Sequence, residues 1–108
     1  MTVSEIFEGL PGKLDPAAAA GVSKTLQWNI TGDEPGIWAF QISDGTGKLI
    51  PGGVEKPDVT FTTSGKDWAA IAEGKLDATR AFMTGKLKIT GDMVLAMKMS
   101  QFFPIEKK

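Results

Sequence analysis

At 108 residues the chain has room for one domain, residues 1–108, and one modest core. Its 12 basic and 13 acidic residues leave a net charge of -1, which removes the electrostatic case for nucleic acid or for wholesale attraction to an anionic membrane. With no cysteine and no histidine there are no disulfides, thiol nucleophiles, imidazole bases, Ser-His-Asp triads or customary zinc and iron ligands.

Taken in chain order, Met1-Thr2-Val3-Ser4-Glu5 has neither a basic start nor a long apolar run, so no secretory signal is expected. No window has the length to span a bilayer. Val3, Ile6, Phe7 and Leu10 recur at helical spacing and predict a short amphipathic helix over residues 3–10, stopped by Pro11-Gly12. Asp15-Pro16 reads as an N-cap followed by proline at the first helical position. Ala17 to Ala20 continue that second helix and Gly21 ends it.

The period then changes. Residues 25–31, "TLQWNIT", alternate, with Leu26, Trp28 and Ile30 on one side and Gln27, Asn29 and Thr31 on the other. After the breaker-rich Gly32-Asp33-Glu34-Pro35-Gly36, residues 37–43 carry Trp38, Phe40 and Ile42 on one face, with Ile37 and Ala39 on the other. That predicts a more buried strand. Asp44-Gly45-Thr46-Gly47 turns into a short Lys48-Leu49-Ile50, and residues 58–63, "DVTFTT", alternate around Val59 and Phe61. Strands this close together predict an antiparallel meander.

Helical period returns at Ser64, which with Asp67 resembles a capping box ahead of Trp68, Ile71 and Ala72. Gly74 interrupts. Asp77 caps a further helix with Ala78, Ala81 and Phe82, ended by Gly85. Residues 86–90 make one more strand, and Asp92 caps a last helix from Met93 to about Phe103. The fold class is therefore α+β, an antiparallel sheet with helices over one face.

The last helix is the unusual element. Met93, Val94, Leu95, Ala96, Met97, Met99, Phe102 and Phe103 leave no wide polar stripe, and three of the five methionines lie here. Such a helix is either wrapped in core, or faces a hydrophobic ligand, or meets a protein or membrane partner; methionine suits the last two because it adapts its shape at low cost. The many alanines leave slender helices, which pack closely or leave space between them.

Other features have plainer readings. Asp15, Asp67, Asp77 and Asp92 are helix caps rather than catalytic or metal-binding carboxylates. "DGTGK" (44–48) and "TGK" (84–86) lack the spacing of a phosphate loop. Trp28, Trp38 and Trp68 are core or cavity-wall residues, not base-stacking platforms. Asn29-Ile30-Thr31 sits in a strand and is not expected to be glycosylated. Lys86, Lys88 and the terminal Lys107-Lys108 are mildly basic spots.

"FMTGKLKITGDMVLAMKM" (82–99) closely resembles the C-terminal motif of the sterol carrier protein-2 domain family, and "AAIAEGKLDATRAF" (69–82) resembles the segment before it. "LQWNIT", "WAFQISDG" and "PDVTFTTS" follow the same family's strands in order and spacing. The resemblance implies a five-stranded, mainly antiparallel sheet with helices on one face and an apolar tunnel. It implies non-enzymatic binding and transfer of fatty acids, fatty acyl-CoA, phospholipids or sterols, with no cofactor or metal.

On that resemblance Phe82, Leu87, Met93, Leu95, Met97, Met99 and Phe102 are tunnel-wall candidates, with Trp38, Phe40 and Phe61 as the sheet-side wall. Lys86 and Lys88 are head-group candidates. The implied partners are a lipid, a transient membrane contact, a second copy of the chain or a lipid-metabolising enzyme; an accessory or protein-interaction role is the alternative. Peroxisomal members of the family end in a Ser-Lys-Leu-type signal. This sequence ends Phe103-Pro104-Ile105-Glu106-Lys107-Lys108, so a cytoplasmic home is expected.

Overall fold

Every helix start is secured by an oxygen-bearing side chain. In the computed structural model, which describes residues 2–32 and 34–103, α1 (Val3–Lys13) opens with a reciprocal pair. Thr2 Oγ1 accepts from the Glu5 N–H at 3.1 Å, and Glu5 Oε1 accepts from the Thr2 N–H at 3.0 Å. The bonds from the Thr2 backbone and hydroxyl hold the Glu5 carboxyl below its ordinary pKa. This Thr-x-x-Glu pair is a capping-box signature within the sequence itself. The carboxylates of Asp15, Asp77 and Asp92 and the hydroxyl of Ser64 cap α2 (Pro16–Ala19), α4 (Ala78–Met83), α5 (Met93–Phe102) and α3 (Gly65–Ala72). Each such cap is worth about 1 kcal/mol.

Pro11-Gly12 does not stop α1, which runs on to Lys13. Leu10 and Leu14, one turn apart, are both buried in the core. Their packing holds the final turn despite the missing proline N–H.

The strands are β1 (Ser23–Thr31), β2 (Gly36–Ser43), β3 (Thr46–Pro51), β4 (Val59–Ser64) and β5 (Leu87–Gly91). Their ends differ from the sequence expectation by a residue or two, as boundaries commonly do. Asp44 and Gly45, with φ of 44° and 86°, make the tight β2–β3 turn that an Asp-Gly pair favours.

The sheet order, β3-β2-β1-β4-β5, corrects the simple meander. β4 does not continue beside β3; it lies parallel to β1, with Val59 opposite Leu26 and Phe61 opposite Trp28, while the other pairs are antiparallel. Gly52–Asp58 makes the transfer across the face turned away from the helices. There the Val54 N–H donates to Gln27 Oε1 at 2.8 Å, and Asp58 is fastened to Thr25 through both its N–H and its carboxylate. Ala39 on that face is fully buried.

Leu26, Trp28, Ile30, Phe40, Ile42, Val59 and Phe61 are buried on the helix face and meet Val3, Ile6, Phe7 and Leu10 of α1 and Trp68 and Ile71 of α3. Phe7 lies between two near-parallel indoles, Trp38 at 5.0 Å and Trp68 at 5.3 Å between ring centroids, with its edge toward Trp28 at 5.5 Å. Trp38, half-buried, thus serves as core packing against α1.

The β5–α5 corner generates one stability prediction. Gly91 has φ +105°, and a Cβ there would stand 2.6 Å from the Asp58 carbonyl oxygen and 3.1 Å from Val59 Cα. Both are backbone atoms of the paired strand and cannot swing aside. Gly91→Ala is expected to cost about 3 kcal/mol and to lower Tm by more than about 10 °C. Thermal denaturation checks this; a melt close to the parent's would mean the corner has slack.

Candidate functional site

α5 is not wrapped in core on all sides, as its composition had allowed. Leu95, Ala96, Met99 and Phe102 are buried, while Met93, Val94 and Met97 are 42%, 64% and 78% exposed. The same split occurs in α4, where Ala81 is fully buried but Phe82 and Met83 are 42% and 78% exposed. Among the described residues, the only other large hydrophobic exposed to this degree is Ile37. Surface apolar side chains therefore concentrate on the two helices that flank β5.

Those helices reach β5 from opposite ends. At its start, the Lys86 N–H donates to the Ala81 carbonyl of α4 at 2.8 Å. At its far end, the Asp92 N–H donates to the Asp58 carbonyl at 2.9 Å, and α5 departs across the sheet. The Phe103 ring meets Phe40 edge-on at 5.3 Å, and the Phe102 carbonyl accepts from the Asp15 N–H at 2.8 Å. α5 thus crosses the row Val59–Leu26–Phe40 from the sheet edge to β2. α4 and α5 each pack on β5 but not extensively on one another.

Between them, Ile89 is only half-buried on the helix face of the edge strand. The next positions inward on the same row are Phe61, Trp28 and Trp38. Trp28 stacks on Phe61 at 5.4 Å and lies 5.4 Å from Trp68, tilted by 48°. An apolar row therefore leads from the gap between α4 and α5 to the aromatic centre. Two polar atoms lie in that centre, the indole Nε1 groups of Trp28 and Trp68, both buried and both without an acceptor among the described residues.

The wall candidates fall into two sets. Phe40, Phe61, Leu87, Leu95, Met99 and Phe102 are buried, and Trp38 is half-buried beside them. Phe82, Met93 and Met97 are on the surface of the flanking helices. Of the head-group candidates, Lys86 is exposed between α4 and β5, whereas Lys88 pairs with Thr62 on the face away from the helices. The terminal pair Lys107-Lys108 lies outside the described residues. Ile89, Met83 and Val94 join these residues at the same side of the molecule; their apolar character is visible in the sequence but their neighbours in space are not.

Charge along α4 and α5 leans basic. Over residues 77–98, Arg80, Lys86 and Lys98 are exposed on or beside these helices, and Lys88 is exposed on the far face of β5. The carboxylates of that stretch, Asp77 and Asp92, are turned to the N–H groups of Arg80 and Leu95 as caps. Asp77, Thr79, Arg80, Met83 and Thr84 line an open hollow on the outer side of α4. No group of three or more metal-ligating side chains occurs among the described residues, and no helix described is long and apolar enough to cross a membrane.

Known proteins share this arrangement. The model of the SCP-2 sterol transfer family matches residues 4–104. Hydroxysteroid dehydrogenase-like protein 2 of Danio rerio is 32% identical over 106 residues, covering 97% of this chain and 26% of that protein. Sterol carrier protein 2 of Homo sapiens is 40% identical over 68 residues, covering 63% of this chain and 12% of that protein. The chain thus spans about a quarter or less of these curated relatives. The solution structure of palmitated SCP2L2 from Aedes aegypti superimposes with a TM-score of 0.78 at 30% identity, covering 94% of this chain and 93% of that one.

The two faces of α5 are separable by one substitution on each. Met97→Glu places a carboxylate in water and should leave Tm within about 3 °C of the parent. Met99→Glu buries it without a partner and should lower Tm by more than about 10 °C or prevent folding. Equal melting of the two variants would show that α5 is not split in this way.

Proposed function

The chain belongs to the SCP-2 sterol transfer family, whose domains bind and transfer lipids, and on that premise we propose that it carries fatty acids, fatty acyl-CoA, phospholipids or sterols without catalytic chemistry of its own. The observation that carries the reading is the half-covered edge strand, where α4 and α5 leave Ile89 accessible and hold apolar side chains outward on either side of it. An acyl chain or sterol skeleton entering there would exchange water for Phe61, Leu87, Leu95 and Met99. Burial contributes about 0.8 kcal/mol per methylene, so a dozen methylenes contribute about 10 kcal/mol before ordering costs are subtracted. Methionine and leucine walls favour broad shape tolerance.

The exposed Phe82, Met83, Met93, Val94 and Met97 also suit loading from a bilayer. Apolar side chains insert at the headgroup boundary while Arg80, Lys86 and Lys98 meet anionic lipid. The near-neutral net charge hides this local bias. Palmitate in the Aedes aegypti structure supports the same ligand class. Support for the non-enzymatic reading comes from composition, which lacks histidine and cysteine, and from the commitment of Asp15, Asp77 and Asp92 to helix caps.

A second reading is presentation of lipid to an enzyme. It is favoured by the Danio rerio relative, in which the matched segment is 26% of a dehydrogenase-like protein.

Native mass spectrometry of freshly purified protein, followed by lipid extraction, tests carriage directly. A co-purifying lipid, or displacement of a fluorescent fatty acid from the apo protein, is the expected result. A clean apo mass with no displacement would end the carrier reading. For the head group, Lys86→Ala is expected to weaken acyl-CoA binding about three- to tenfold and sterol binding little, as one exposed charge-assisted contact allows. Lys88→Ala, on the face of β5 turned away from the helices, should change neither. Equal losses for acyl-CoA and sterol in Lys86→Ala would remove Lys86 from the site.

A further inference from the structure

The aromatic centre contains two hydrogen-bond donors with nothing to bond. Trp28 is 0% and Trp68 4% exposed, and neither Nε1 has a partner among the described residues. An indole N–H only donates. Leaving one buried and unpaired costs about 1–3 kcal/mol, and folded proteins seldom leave such groups without a use. Phenylalanine already serves this cluster at Phe7, Phe40 and Phe61, and would fill much of the same space without that cost. The two rings are neighbours on different elements, and Trp28 is the third position on the row that starts at Ile89.

The surroundings also define the charge of an acceptor. Thr63 is the sole buried polar residue among those described, and its hydroxyl already donates to the Lys86 carbonyl at 2.9 Å. Among the described residues no cation lies in the core to neutralise a carboxylate, whose burial unpaired would cost far more than two hydrogen bonds return.

We propose that Trp28 and Trp68 receive the polar end of the bound molecule, so that the preferred ligand enters with an uncharged oxygen, a hydroxyl or carbonyl, leading and its hydrocarbon trailing toward the gap between α4 and α5. The assignment rests on the lipid-binding reading above and adds an orientation and a chemical class to it. A neutral lipid alcohol, ester or ketone is selected over the hydrocarbon of equal length.

The test uses 1-hexadecanol and hexadecane, each delivered from methyl-β-cyclodextrin to the 15N-labelled protein, with the three indole N–H resonances followed by NMR. Substitution at Trp38 and Trp68 assigns them. Hexadecanol should move the Trp28 and Trp68 indole protons downfield, the signature of a new acceptor, and hexadecane should bind without that shift. In Trp68→Phe the hexadecanol affinity should fall about fivefold, as one hydrogen bond predicts, with hexadecane affinity unchanged. If both probes bind but the indole resonances respond alike, or Trp68→Phe weakens both equally, the donors are served by ring faces or trapped water and the proposal fails. If neither probe binds while a fluorescent fatty acid does, the proposal alone fails; if none of the three binds, it falls together with the carrier reading. The wild-type NMR comparison stands even if the variant does not fold.

Discussion

The pairing of β4 with β1 is the constraint on which the rest of the molecule depends. Because β4 returns parallel to β1 and not beside β3, β1 becomes the centre of the sheet and β5 becomes its edge. The Gly52–Asp58 crossing that makes this possible is fastened to Thr25 and Gln27 on the face away from the helices. Once β5 is the edge, the helices before and after it must flank it, α4 at its start and α5 at its end. The partial exposure of Ile89 follows from its place on that edge.

Phe7 works in the opposite sense, by closing. Stacked between Trp38 and Trp68 and edge-on to Trp28, it ties α1, β1, β2 and α3 into one aromatic block. Each such ring pair adds about 0.5–1.5 kcal/mol beyond the apolar area buried. One side of the helix layer is therefore anchored firmly, while the side formed by α4 and α5 is held by fewer buried groups and keeps apolar residues in water. A carrier needs this asymmetry, since a uniformly tight shell could not admit a lipid and a uniformly loose one would not fold. The two indole donors without a partner among the described residues belong to the firm side, packed in that aromatic block.

Much of this was open to inspection in the residues alone. Alternation in "TLQWNIT" placed Leu26, Trp28 and Ile30 in the core, and all three are buried. Asp15, Ser64, Asp77 and Asp92 were read as caps, and each accepts an N–H of the helix it precedes; Asp67, read the same way, instead lies in the first turn of α3 and donates its N–H to Ser64 Oγ. The motif between Phe82 and Met99 pointed to the family that the comparison confirms. Period and capping are short-range matters: they depend on neighbours within a turn or a pleat, and the sequence states those neighbours.

What depended on distant neighbours was not legible. Hairpin logic joins strands across short turns, so it predicted a meander and had no means of choosing β1 as the partner of β4. Pro11 lacks an N–H wherever it occurs, yet buried Leu10 and Leu14 carry α1 past it. The apolar circumference of α5 was plain, but only the position of the sheet decided that Met99 is buried and Met97 is not. Lys86 and Lys88 read alike until the structure set Lys86 in the bend between α4 and β5 and Lys88 within β5, opposite Thr62. The sequence by itself determined which residues seek cover and where each element begins, because those are local preferences. The tertiary structure decided which of them found cover, because burial is a relation between elements far apart in the chain.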